Sequence, residues 1–316
     1  MSVFENVINE ANKKNEVKDV TPESVEVADE GEGKKSFPER MAEKKNQCYA
    51  MIDDACLNAV SSIESLRQFL NVQSRFDKYS LNNALLIFEQ KPDAVKLKEL
   101  AAWNKEDISV KKGAKSIMIL EPSPYKGTDG KMHRGYNAKH VFDIADVEAP
   151  EDAIPQPKSY EQKQLVAALV HDAPVPVCKA EKSLGEHNAI YDAKNKVVYF
   201  KSGLEFDAIF PALAKALAHA EMAKDVENYR IGEHEFAARC SAYVLSQRYG
   251  VDTRTVDVYG IPKNFETMEA EDVKKVLGDV HSNVKTINAR MNESLEQTQN
   301  KEQQTPNKGN KNREER

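Results

Sequence analysis

The chain has 316 residues, of which 40% are hydrophobic, 7% aromatic and 30% charged; this suffices for one or two cored domains and leaves a large charged share for solvent. Forty-five basic against fifty-one acidic residues give a formal charge of −6, which excludes a nucleic-acid binder with a uniformly cationic surface and leaves room for a local basic groove. The opening MSVFENVINEANKKNEVKDV has no apolar signal core, and no stretch approaches the roughly 18 apolar residues that span a bilayer. A cytoplasmic chain with no membrane partner is expected. Cys48, Cys56, Cys178 and Cys240 form no CxxC pair, which predicts buried or free thiols rather than disulfides.

In chain order, residues 1–40 carry ten acidic and six basic residues and few large apolar ones, which predicts a disordered acidic arm. Met41, Ile52, Cys56, Val60, Ile63, Leu66 and Leu70 recur mostly at steps of three or four, predicting one long amphipathic helix over 38–72. Ser80 is placed to cap a helix that Pro92 ends, and Asp93 to cap another running to about Trp103. Ser116–Leu120 and His140–Ile144 read as paired strands joined by a long polar hairpin around Gly127 and Gly130. The three prolines of 148–157 predict an extended linker at 149–158, dividing a first domain at 41–148 from a second at 159–294. The second begins with a helix near 159–171, continues with a hairpin of 188–191 and 196–200, and ends in helices near 205–224, 233–249 and 269–293. Residues 295–316, rich in Gln, Asn, Lys and Glu, predict a disordered tail. The fold class is therefore α+β: an N-terminal helical and β-hairpin domain, a mainly helical C-terminal domain, and disordered tails.

The charge is unevenly placed. Residues 41–150 hold sixteen basic and fifteen acidic residues, whereas 151–294 hold eighteen and twenty-two, so the first segment is the better place for a polyanion. It also concentrates groups suited to single-stranded nucleic acid. Phe76, Tyr79 and Trp103 can stack on bases, Asn82, Asn83 and Gln90 can read edges or phosphates, and Lys111, Lys112 and Lys115 flank Gly113, which lets the backbone bend close to a phosphate. The competing readings are a core tryptophan and an ordinary charged turn.

The string Tyr79-Ser-Leu-Asn-Asn-Ala-Leu-Leu-Ile87, with Gln90, Pro92, Trp103, Val110-Lys-Lys-Gly-Ala-Lys-Ser-Ile117, Glu121-Pro122 and Val141-Phe-Asp-Ile144, resembles the N-terminal domain of ArdC-type antirestriction proteins and LtrC-like proteins of conjugative elements. The resemblance covers roughly 45–147 and departs at Ala114, where the family has Glu, and at Ser116, where it has Gly. It implies binding of single-stranded DNA by the first domain, with Tyr79, Asn82, Asn83, Gln90, Trp103, Lys111, Lys112 and Lys115 as the binding residues.

Such chains usually continue into a zinc-peptidase-like domain. Here Ile209 to Ala220 resembles the helix that carries two histidines one turn apart and a glutamate general base, a spacing that brings both imidazoles to one Zn²⁺. Aligned on His219, the first ligand position is Lys215 and the general-base position Ala216. Aligning Glu233 to Tyr243 on Ala242-Tyr243 puts the expected carboxylate ligand at Ala237 and leaves Glu235 off that face. His219 is the one residual family position, so no catalytic residue, metal or cofactor is expected. Lys215 is placed to stand where the metal would and to neutralise a neighbouring carboxylate. The remaining zinc alternative is a rearranged site drawn from His219, Glu221, Glu233, His234 and Glu235.

The expected function is sequence-nonspecific binding of single-stranded DNA in the cytoplasm, protecting or escorting transferred DNA, with conjugation or restriction-system proteins as further partners. The alternatives are a metal-dependent peptidase located by its DNA domain and a non-catalytic recruitment module.

Overall fold

A computed structural model describes residues 36–304 apart from 157, 257 and 259. Most of the expected N-terminal arm and the last twelve residues of the expected tail lie outside the described residues. The first helix, α1 (Phe37–Ala59), opens with a reciprocal pair: Ser36 N donates to Glu39 Oε2 at 2.7 Å and Glu39 N to Ser36 Oγ at 3.4 Å. Cys48, Ile52, Ala55, Cys56 and Ala59 form its fully buried stripe. The single helix expected over 38–72 is broken after Ala59. Ser61 Oγ donates back to Asn58 O and Ser62 Oγ accepts from Ser65 N, so α2 (Ile63–Arg75) starts afresh from a serine cap.

Ser80 caps α3 (Leu81–Gln90) as expected. The helix expected from Asp93 does not form, because the buried carboxylate of Asp143 accepts from both Val95 N and Lys96 N and holds the chain extended. That segment enters β1 (Leu97–Lys98), and only one turn of helix follows, α4 (Leu100–Asn104). The expected strands appear as β2 (Ile117–Pro122) and β5 (Tyr136–Asp143), antiparallel with Ile117 opposite Val141 and Pro122 opposite Tyr136; β1 joins the far edge of β5. Between them the hairpin continues into a short pair, β3 (Tyr125–Lys126) and β4 (Met132–His133).

Beyond the prolines come α5 (Gln162–Val170), then β6 (Val177–Lys179), β7 (Ala189–Asp192) and β8 (Val197–Phe200) in the order β6-β8-β7. The β7–β8 hairpin is the expected one, its turn held by Asp192 accepting from Lys194 N and Asn195 N. Three helices complete the fold: α6 (Phe206–Met222), α7 (Ile231–Arg248) and α8 (Ala270–Gln304). The expected tail from 295 is corrected in its first ten residues, which continue α8; Leu295 is buried, and Glu, Gln and Lys are good helix formers. Among the described residues no helix is long and apolar enough to cross a membrane.

The two-domain division is also corrected. One hydrophobic cluster takes Ile52, Phe69, Leu85 and Ile119 together with Leu169, Phe210, Leu217, Val244, Leu277 and Met291, so the segments on either side of 149–158 share a core. Helix α2 packs on α7, and polar bonds fix the junction: Arg248 donates to Ser74 O at 3.0 Å and to Asp77 Oδ2 at 2.7 Å, and Tyr243 donates to Asn71 Oδ1 at 3.2 Å.

The sheet's other edge is closed by side chains. Asn83 donates to Leu120 O at 2.9 Å and accepts from Leu120 N at 2.8 Å; two turns along the same helix, Gln90 does the same for Met118 O and N, both at 2.8 Å. The amides of α3 thus take the place of a further strand along β2. Asn83→Ala should leave the Leu120 N–H and C=O unpaired and cost about 2–3 kcal/mol, read as a lower urea midpoint with an unchanged slope.

Candidate functional site

The residues proposed for DNA contact separate into two groups. Trp103 is fully enclosed with Ile108, Ile144 and Val147, its Nε1–H donating to Phe142 O at 3.1 Å and Lys98 Nζ lying 4.7 Å from the ring centroid. It is a core residue, which corrects its reading as a stacking platform. Asn83 and Gln90 spend their amides on β2 and are corrected likewise. Tyr79 is half-buried, set edge-on to Phe76 at 5.5 Å, and burial raises its phenol pKa. It borders a shallow cleft of about 290 Å³ with Lys98, Glu99, Glu121 and Lys139. Lys139 is held between Glu121 and Glu99, and their hydrogen bonds raise its pKa. Asn82, in the first turn of α3, is half-buried.

Lys111, Lys112 and Lys115 are exposed. Their turn passes through Gly113 at φ +85°, a conformation that costs glycine nothing and other residues strain. It is fastened to the segment after β5 by Lys111 N donating to Asp146 O and Lys111 Nζ to Ala145 O, both at 2.9 Å. Among the described residues none of the three ammonium groups has a carboxylate partner within ion-pair distance.

The second site lies where α6 and α7 pack. Lys215 and His219, one turn apart on α6, both face Glu235 on α7: Lys215 Nζ stands 2.9 Å from Oε1 and His219 Nε2 2.9 Å from Oε2. The other ring nitrogen of His219 lies 2.7 Å from the hydroxyl of Tyr229, whose ring stacks on His234 at 4.7 Å. Burial works to raise the Glu235 pKa, but the hydrogen bonds from His219 and Lys215 outweigh it and bring it down to about 2. Burial pushes the Tyr229 phenol up, so it keeps its proton. The two contacts fix the ring, with Nδ1 facing the Tyr229 hydroxyl and Nε2 facing the Glu235 carboxylate. Clefts of about 460 and 260 Å³ are both lined by Lys215 and Glu235.

Spacing within α7 alone misplaced the carboxylate. Ala237 is packed in the core, and Glu235 is the residue aimed across at His219, because the crossing of α6 and α7 decides which face meets the histidine. The other members of the proposed rearranged site go elsewhere: Glu221 pairs with Arg290 at 2.7 Å, Glu233 with Arg230 at 3.1 Å, and His234 stacks on Tyr229. The site does not fit a metal. Lys215 brings a positive charge to the carboxylate oxygen a cation would need, and Glu235 and His219 are spent on each other. Among the described residues no group of three or more His, Cys, Asp or Glu could hold a metal ion.

No protein-family model matches the chain, and no curated protein matches it. The similar solved structures include two of the antirestriction protein ArdC from plasmid R388. The metal-free one shares 11% identity with a TM-score of 0.47, covering 68% of this chain and 85% of that one. The Mn(II)-bound one shares 11% with a TM-score of 0.48, covering 68% and 84%.

Two predictions test the cluster. Lys215→His should convert it into a site with two imidazoles and Glu235, taking up one equivalent of Zn(II) in a calorimetric titration in which the unaltered chain takes up none. Glu235 titrates at 4.5 unperturbed and at about 2 here, so its ionised form contributes stability that is present above pH 4.5 and lost as pH falls toward 2. Glu235→Gln should therefore lower the urea midpoint at pH 6 and flatten its fall across that window.

Proposed function

We propose that the chain binds single-stranded DNA without sequence preference and acts by occlusion, as a mobile-element protein that protects or escorts a transferred strand. The observation that carries the reading is the exposed turn of Lys111, Lys112 and Lys115, whose ammonium groups have no carboxylate partner among the described residues. Lysines so placed displace the counterions condensed on a phosphate backbone, and the gain is independent of base identity. The motif resemblance to ArdC-type chains supports the same reading. The rest of the motif has a structural purpose: Asn83, Gln90 and Trp103 build the platform from which the turn projects.

The competing reading, a metal-dependent peptidase located by its DNA domain, requires a water-activating carboxylate where the buried Ala216 stands, and a metal where Lys215 binds Glu235.

A fluorescence-anisotropy titration with a labelled, unstructured oligonucleotide tests the proposal. Three phosphates neutralised on a single strand correspond to a log–log salt slope of about −2, so affinity should fall about twentyfold between 50 and 200 mM salt. Replacing Lys111, Lys112 and Lys115 together by Ala should weaken binding at low salt and flatten that slope. Absence of binding by the unaltered chain at low salt would overturn the reading. Trp103→Ala is a test of folding, expected to cost about 3–5 kcal/mol through loss of a filled core position.

A further inference from the structure

The burial of Trp103 and the half-burial of Tyr79 leave the proposed strand without a flat surface to stack on at the lysine turn. Such a surface exists at the other end of β2. There the β3–β4 arm carries Tyr125 and Met132 at 56% and 66% exposure, and Tyr136 at the adjoining end of β5 is 40% exposed. Tyr125 and His133 are directly opposite in register and their rings stack, centroids 5.5 Å apart and planes within 25°.

The arm is tightly built although its side chains pack against little. Ser123 N donates to Gly135 O and Gly127 N to Lys131 O, both at 2.8 Å, and Asp129 Oδ1 takes the Lys131 amide and His133 Nε2. Gly135 is required by close approach, since a Cβ there would lie 2.7 Å from the backbone oxygen of Ser123; at Gly127 a Cβ would lie 2.5 Å from the His133 ring and would displace it. The ring pair is therefore held in place in advance, and both residues remain exposed.

Its charge is complementary to a polyanion. Lys126, Lys131 and Arg134 are exposed and make no ion pair among the described residues, while the only carboxylate in the arm, Asp129, is taken by His133. Cations beside exposed rings are what a single strand needs, phosphates meeting charge and unpaired bases meeting π faces. A duplex offers the phosphates without the faces.

We infer that the β3–β4 arm is the base-stacking element of a single-stranded nucleic-acid site, the Tyr125–His133 pair forming the platform and Lys126, Lys131 and Arg134 the phosphate contacts. This rests on the DNA-binding reading above and adds a place and a contact type to it. The six residues of β2 separate the arm from the lysine turn by about 20 Å, so a strand held at both lies along the β2–β5 pair.

The test uses the full chain and two labelled probes, an oligothymidylate and an abasic deoxyribose-phosphate strand of the same length. The unaltered chain should bind the oligothymidylate more tightly than the abasic strand. A Tyr125→Ala, His133→Ala double variant should lose about tenfold on the oligothymidylate and leave the abasic affinity unchanged; Tyr125→Phe should retain binding. Because these side chains are exposed, circular dichroism should be unaltered. If the unaltered chain binds with salt sensitivity but the double variant binds oligothymidylate equally well, the arm is overturned and the DNA-binding reading stands. Equal affinity of the unaltered chain for the two probes, or for a duplex, overturns stacking in the same way. If it binds neither probe, both proposals fall.

Discussion

A β-strand that lies against a helix cannot leave its outward N–H and C=O groups without partners, and that constraint organises the first half of this molecule. Strand β2 is paired on one side only; on the other, Met118 and Leu120 present their backbone groups to α3, where water has little access. Two primary amides seven residues apart on a helix share a face, and each amide offers the donor and the acceptor that a neighbouring strand would offer. Once Asn83 and Gln90 take those positions, α3 fixes β2, β2 fixes β5, and β5 delivers Asp143 to hold the segment leading to β1 and Trp103.

A second economy operates where α6 meets α7. A carboxylate half out of water needs positive charge and hydrogen-bond donors, and Lys215 and His219 supply them. An ammonium offers donors without the directional demands of a metal ion and releases no activated water. The His219–Tyr229 bond extends the chain of donors and keeps the imidazole in one orientation. Removing one member of this set would leave the others partly desolvated and unsatisfied, so the cluster holds two helices in register by polar means.

Much of the secondary structure was legible in the sequence because it is set locally. The serine at 80, the Asp192 turn and the apolar steps of α6 and α7 act over a few residues and appear where the sequence put them. Features determined across the fold were not legible. Asn83, Gln90 and Trp103 stood out as residues with binding chemistry, and that same chemistry is used inward, on Leu120, Met118 and Phe142. The facing of Glu235 toward His219 depends on a helix crossing that no spacing in α7 encodes. Lys215 as a charge-compensating partner was legible, because an ammonium one turn before a histidine has one obvious use once a carboxylate is near. The β3–β4 arm lies in a stretch that read as a polar hairpin, and cross-strand register was needed before Tyr125 and His133 could be seen as a pair.

The long helix α8 has a consequence for the order in which the chain acquires its structure. Its 35 residues run for about 50 Å, packing on α5, α6 and α7 and reaching α3, and Asn288 reaches back to Asp77 at 3.3 Å. This helix follows the elements it packs on in the sequence, so it leaves the ribosome after them. Until it emerges, Leu85 and its neighbours have no complete cover, and the sheet that carries the lysine turn and the arm sits on an open core. The nascent chain therefore passes through an interval of exposed apolar surface, and its first half acquires its final rigidity only once α8 has emerged and packed.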